Sequence, residues 1–287
     1  MMDNIATFQH YNFPTLQLSN YISMPKYSDQ LNREINLPAA PNRIISVVPS
    51  QTELLFYLGL NEEIIGITKF CIHPQDKFNV TAKVGGTKQL DIDKIRELKP
   101  DLVIANKEEN ERSQLEELMT FCPVWISDIS DLPGAIDMIE RIGIIVDREI
   151  EAKVLGGAIA GLFNKVIIPS TNLRVAYLIW RKPYMVVGKN TFIDNMLQKC
   201  GLLNAFELER YPQVDNGMII AASPDVILLS SEPYPFKNKH IDEFKKLVPG
   251  AIVKLVDGEL FSWYGSRLLH APAYFENLHK TLNSSKS

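Results

Sequence analysis

Short apolar runs alternate with stretches of helical period along most of this chain. Arg43-Ile44-Ile45-Ser46-Val47-Val48 reads as a strand covered on both faces, and Pro49-Ser50 breaks it. The next apolar positions, Leu54, Leu55, Tyr57 and Leu58, recur at helical spacing and stop at Gly59. Ser50 and Glu53 stand at capping-box spacing, which predicts that this helix starts at Ser50. Ile64-Ile65-Gly66-Ile67-Thr68 is the next strand. Asp91 is placed to cap a short helix over 92–98, residues 111–119 read as a helix, and Val124-Trp125-Ile126 reads as a strand.

One phrase occurs twice. Leu98-Lys99-Pro100-Asp101-Leu102-Val103-Ile104-Ala105 returns as Ala222-Ser223-Pro224-Asp225-Val226-Ile227-Leu228-Leu229. Each copy is a helix end, a Pro-Asp break and a buried strand, because proline cannot continue a helix. Between the copies strand signals vanish from about 133 to 166, and residues 148–166 suit a single long helix. A second βα series then opens at Arg174–Trp180, continues with a helix over 191–199 stopped by Cys200-Gly201, and ends in a strand over 251–256 and a helix over 270–283.

The predicted fold class is therefore α/β: two Rossmann-like lobes with parallel sheets, joined by a single long α-helix. The expected division is an irregular N-terminal extension over 1–40, a lobe over 41–145, a connecting helix over 146–168 and a second lobe over 169–287. Two lobes make a cleft, and ligands of open α/β sheets bind beyond the C-terminal ends of the strands.

Composition narrows the classes. The net charge of −4 argues against nucleic acid, which demands a basic face. The three cysteines, Cys71, Cys122 and Cys200, are far apart and form no CxxC pair. No apolar run approaches the roughly 18 residues of a membrane span. Met1 to His10 has neither a basic start nor an apolar core, so the chain reads either as one that stays in the cytosol, which Met1 favours, or as one whose start is trimmed or misassigned.

Reactive and aromatic residues gather in loops that follow strands. These are residues 68–74 with Phe70, Cys71 and His73, and residues 106–110 with Lys107, Glu108 and Glu109. Residues 230–237, with Glu232, Tyr234 and Phe236, and residues 258–267, with Phe261, Trp263, Tyr264 and Arg267, complete the set. Trp180, Lys182 and Tyr184 add a fifth patch. The segment Val84-Gly85-Gly86-Thr87-Lys88 reads as a turn before a helix. Five scattered histidines lack the spacing of a dedicated zinc site, although His73 alone would suffice as an axial contact to a metal already held in a macrocycle. No GxGxxG follows the first strand and there is no GxSxG elbow.

These segments, in this order and spacing, resemble the helical-backbone (class III) substrate-binding proteins of ABC importers. Arg43 to Leu54, Val84 to Lys88, Asp91 to Ala105, Arg174 to Gly188 and Asp257 to Arg267 carry the resemblance, which is strongest to the cobalamin-binding type. It implies a non-catalytic, extracytoplasmic role, no intrinsic cofactor, and a large metal chelate held between the lobes for ABC-type uptake. The ligand would be a corrinoid, with a ferric siderophore or haem as alternatives. A cytosolic carrier of the same fold is the rival reading, and an enzyme using Glu108, Glu109 or Glu232 as acid or base is a further one.

Position by position, Phe70 matches the family's aromatic after the second strand, while Thr87 stands where a Trp is frequent. In the last loop Trp263 and Tyr264 match, Ser262 replaces an acid, and Arg267 is displaced by about one position. The ligand-binding expectation therefore covers Phe70, His73, Lys88, Lys107, Glu108, Trp180, Tyr184, Glu232, Tyr234, Trp263, Tyr264 and Arg267. The family docks to a permease through one acidic residue per lobe: Asp93 matches the first, and Gly217 occupies the second position.

Overall fold

The structure, a computed structural model, describes residues 26–284. It opens with a hairpin of β1 (Lys26–Ser28) and β2 (Glu34–Asn36), paired antiparallel. Within the stretch expected to be irregular, residues 26–36 are thus ordered against the first lobe. The buried Asp29 carboxylate fixes them by accepting from the backbone N–H groups of Leu31 and Arg33 and from the Arg33 guanidinium. Residues 1–25 lie outside the described residues.

The first lobe contains β3 (Ile44–Ser46), α1 (Pro49–Tyr57), β4 (Ile64–Ile67), α2 (Gln75–Val80) and β5 (Ala82–Lys83). It continues with a small hairpin of β6 (Gly85–Gly86) and β7 (Gln89–Leu90), then α3 (Ile92–Leu98), β8 (Leu102–Asn106), α4 (Arg112–Leu118) and β9 (Val124–Ser127). Its five-stranded sheet has the order β5-β4-β3-β8-β9, and every pairing is parallel. Chain order reverses between β3 and β8, so the loops after these two strands flank the crevice where such sheets bind ligands. The capping box expected at Ser50 does not form. Proline at the first helical position starts α1 one residue earlier, Val48 has no side-chain acceptor to offer, and Glu53 is free for another partner.

Next come α5 (Leu132–Ile145) and α6 (Glu149–Lys165), which pack against each other. Their approach depends on Gly143, where an added Cβ would lie 2.2 Å from the Ala152 Cβ. The chain of α6, about 25 Å long at 1.5 Å per residue, leads from the first sheet to the second.

The second lobe contains β10 (Arg174–Trp180), β11 (Tyr184–Val186), α7 (Phe192–Lys199), β12 (Leu203–Asn204), β13 (Gln213–Val214), α8 (Asn216–Ala221) and β14 (Val226–Ser230). It closes with α9 (Asn238–Leu247), β15 (Ile252–Val256), α10 (Glu259–Ser262), a 3₁₀ turn over Ser266–Leu269 and α11 (Ala271–Ser284). Here the sheet is mixed. The strands β12, β10, β14 and β15 pair in parallel, but β11 and β13 add an antiparallel arm. Only residues 181–183 separate β10 from β11, too few for a parallel crossover.

The apolar faces sort into three clusters. One is shared by both lobes and joins Ile44, Ile104 and Trp125 to Ile159 of α6 and to Val175, Leu228 and Phe275. The outer face of the first sheet holds Val103 and Ala105 in one cluster with Ile95 of α3, and that of the second holds Ile227 and Leu229 with Phe244 of α9. The two lobes thus rest on one continuous core, above which their strand-end loops meet.

Candidate functional site

The seam between the lobes is built from the strand-end loops. Asn106, the last residue of β8, is buried, and its side chain accepts from the Glu108 and Glu109 amides while donating to Ser127. This holds both glutamates toward the second lobe. Glu109 accepts a hydrogen bond from the Tyr264 hydroxyl at 2.5 Å. Burial pushes its carboxyl up to about 7. The Tyr264 bond and Lys88 pull it back, and the charge of Glu232 adds to the upward push. Glu108 meets the Arg210 guanidinium and the Tyr211 hydroxyl, the latter at 3.3 Å.

A second cross-lobe network surrounds Arg267. Its guanidinium bridges Glu53 of α1 at 2.6 Å and Glu259 of α10 at 2.8 Å, and it lies 4.8 Å from the Trp263 ring centroid. His73 Nε2 stands 3.2 Å from the other Glu259 oxygen, and its ring meets the edge of Trp263. Gly265 makes the close approach possible: a Cβ there would lie 2.9 Å from the Ser50 carbonyl oxygen. On its own lobe, Glu232 accepts from the Ser262 hydroxyl and the Trp263 indole N–H, and burial raises its pKa.

The seam therefore collects His73, Lys88, Glu108, Glu232, Trp263, Tyr264 and Arg267 of the expected residues, and Phe70 stands on the first-lobe loop that carries His73. Trp263 and Tyr264 are buried in it rather than presented as open faces, because Glu232 and Glu109 hold their polar ends. Phe70, by contrast, is 51% exposed. Gly86 lies against its ring edge, so β6 supports it from below. Lys88 spans to the carbonyl oxygens of Glu108 and Asn110 and braces that loop.

Four expected residues lie elsewhere. Lys107 pairs with Asp128 at 2.6 Å, beyond the end of β9. Tyr184 donates to Glu243 of α9 and packs with the outer cluster of the second sheet. Tyr234 sits among Trp180, Phe236 and His240, leaving Trp180 half exposed at the loop's surface. Arg210 and Tyr211 were not anticipated. Their segment follows no long strand, and its anchor is the Gly188 backbone, where a Cβ would collide with the Leu208 carbonyl. The dipeptide Tyr211-Pro212 before β13 is the only sequence signal for it.

One open depression lies beside this seam and another on the second lobe. One, of about 290 Å³, is lined from both lobes by Glu53, Phe56, Tyr57, Pro74, Arg267 and His270. The other, of about 590 Å³, belongs to the second lobe and is bounded by Lys182, Tyr184, Asp215 and Gly217. Among the described residues no group of three or more His, Cys, Asp or Glu is arranged to hold a bare metal ion, and no helix is long and apolar enough to cross a membrane.

Comparison with known proteins agrees with this architecture. The vitamin B12-binding protein of Pectobacterium carotovorum subsp. carotovorum is 24% identical over 249 residues, covering 81% of this chain and 86% of the relative. That of Vibrio campbellii is 28% identical over 194 residues, or 66% and 70% of the two chains. Among solved structures, the periplasmic vitamin B12-binding protein of Vibrio cholerae superposes with a TM-score of 0.72 at 21% identity, covering 85% of this chain and 98% of that one. The periplasmic haem-binding protein of Roseiflexus sp. RS-1 gives 0.73 at 19% identity, covering 86% and 99%. Residues 44–250 match the family model described as periplasmic binding protein, and with both lobes and the seam between them inside or adjoining that match, the chain belongs to the periplasmic binding protein family.

Proposed function

We propose that this chain is the solute-binding component of an ABC-type importer and that it holds a corrinoid between its lobes. The expected division of the chain is retained with this reading: lobes over 41–145 and 169–287, with the helical connection over 146–168.

The observation that carries the corrinoid choice is the chemistry of the seam. Five carboxylates line it against two arginines: Arg267 pairs with Glu53 and Glu259 and Arg210 with Glu108, while Glu109 and Glu232 have no ion-pair partner among the described residues and Lys88 is engaged by backbone carbonyls. A corrin ring carries amide side chains whose N–H groups suit such acceptors. Haem propionates or a polyanionic siderophore would add negative charge to a site already rich in it. Phe70 supplies an exposed apolar face on the first lobe. His73 is the imidazole proposed for axial contact. Binding without chemical change fits the family, and the carboxylates act in this reading as hydrogen-bond acceptors.

Permease docking is proposed through Asp93, whose side chain is 92% exposed in the first turn of α3. Gly217 at the matching place in α8 offers no carboxylate, which favours one second reading: a carrier of the same fold that hands its ligand to a different protein partner. Fractionation of the native host separates the two, since recovery with the periplasmic or surface fraction removes the cytosolic version. The ligand reading is tested by titrating the purified protein with cobalamin, haem and a ferric siderophore. The expected result is a spectral change and a raised melting temperature with cobalamin above the other two.

A further inference from the structure

Helix α6 is apolar on two opposite faces. Ala152, Leu155, Gly156 and Ile159 are buried against the shared core and α5. On the far side Ile150 is 76% exposed and Val154 69% exposed, and Gly157 and Gly161 have open space where a Cβ would be. These four residues follow one another by steps of four, three and four, so they form a straight stripe directly opposite the buried face.

The stripe is uneven in size and charge. Its first half is bulky, with Ile150 and Val154, and its second half is flat, with Gly157 and Gly161. Along one edge, Glu151 stands at the start and Lys165 at the end. Neither has an ion-pair partner within the described residues, unlike the neighbouring Glu149, which pairs with Lys153 at 2.6 Å. Laid antiparallel on itself about a two-fold axis between Gly157 and Ala158, this surface matches at two places: Val154 of each copy meets Gly161 of the other, and Glu151 at the start of one meets Lys165 at the end of the other. Laid parallel, valine would meet valine, the glycines would leave a gap, and the charged edges of the two copies would lie on opposite sides of the contact, unpaired with each other.

We propose that the outer face of α6 is the interface of an antiparallel, two-fold symmetric homodimer, in which Val154 of each copy seats over Gly161 of the other and Glu151 pairs with Lys165 of the partner subunit. The interface is isologous, so each of these contacts occurs twice. It lies on the helix that connects the lobes and is independent of what the seam binds.

Sedimentation equilibrium of the full chain over a wide concentration range is the test. A reversible monomer–dimer equilibrium is expected. Val154→Asp should weaken it by at least about tenfold with an unchanged circular dichroism spectrum, since its side chain is exposed in the monomer. Glu151→Lys and Lys165→Glu should each weaken it, and the double variant should recover dimerisation. Gly157→Cys should form an intersubunit disulfide under mild oxidation, the native cysteines being buried. A monomer at every concentration overturns the proposal, as does a dimer insensitive to both Val154→Asp and the charge reversals. A monomer in which Gly157→Cys is shielded from a water-soluble maleimide also overturns it, and points to residues 1–25 of the same chain as the cover.

Discussion

The two Pro-Asp segments, α3–β8 in the first lobe and α8–β14 in the second, share a backbone and part at both ends. In each, an aspartate caps the helix: Asp91 accepts from the Lys94 amide and Asp215 from the Met218 amide. In each, a residue with left-handed backbone ends the helix, Lys99 at φ 48° and Ser223 at φ 47°. The Pro-Asp aspartates then receive the amides that start the first strand of each sheet, Asp101 from Arg43 and Asp225 from Arg174. Those arginines return to the helix ends, Arg43 to the Lys99 carbonyl and Arg174 to that of Ala222. This shared frame is what closes a helix onto a parallel strand in either lobe.

Function lies where the copies differ. After β8, Asn106 ties down a short loop and aims Glu108 and Glu109 at the opposite lobe. After β14, Ser230 takes the Tyr177 hydroxyl and the Glu232 amide, and Glu232 turns to Ser262 and Trp263 of its own lobe. At the helix starts Asp93 stands exposed where α8 has Gly217.

The largest effect should come from the positions where the copies share a core. Ile104→Ala and Leu228→Ala each remove packing from the cluster common to both lobes and should cost about 2–5 kcal/mol. Calorimetry should show one unfolding transition lowered by either change. Two transitions, with only one shifted by each variant, would break the shared-core comparison.

A smaller effect is expected from the differing loops. Burial raises the Glu109 carboxyl from 4.5 to about 7, so the folded state holds this proton more tightly than the unfolded chain does. The penalty for ionising it is absent below pH 4.5, grows between 4.5 and 7, and is complete above 7. Urea midpoints should therefore report stability falling by up to roughly 3 kcal/mol across that window, and Glu109→Gln should flatten the slope. Glu232, also raised by burial, should contribute a slope of the same sign that Glu232→Gln removes.

Asp101→Ala and Asp225→Ala should each cost about 1–2 kcal/mol, read from the same denaturation curves, because each strips an acceptor from strand-starting amides. Equal losses would confirm that the two turns are one device. Gly217→Asp should change stability least, by about 0.5 kcal/mol or less, since a Cβ there meets only the Asp215 carboxylate at 3.3 Å. If Asp93 is a docking residue, this variant should strengthen binding to permease-containing vesicles without altering ligand affinity.

Much of the frame could be read from the chain because its signals are local. Asp91 caps the helix it was expected to cap, the helix expected over 191–199 forms with Thr191 as its cap, and Gly201, at φ 74°, follows the end of α7. Local signals also misled. Ser50 and Glu53 have capping-box spacing, but Pro49 moves the helix start and Arg267, 214 residues away, claims the glutamate. Lys88 and Lys107 look like cations awaiting a ligand until the Glu108 carbonyl and Asp128 are seen beside them. The strands β1, β2, β11 and β13 are two or three residues long, too short for alternation to register. Arg210 and Tyr211 enter the seam only through the folding of the second lobe onto the first, which no spacing along the chain encodes.

The central claim is that a corrinoid binds at the seam between the lobes, and equilibrium titration with cobalamin of the wild-type protein and Phe70→Ala tests it most directly. The account predicts one cobalamin per chain, with affinity weakened at least about tenfold when the exposed Phe70 ring is removed and the melting temperature of the free protein left unchanged. Cobalamin that fails to saturate the wild-type protein, or that binds Phe70→Ala as tightly as wild type, would contradict it.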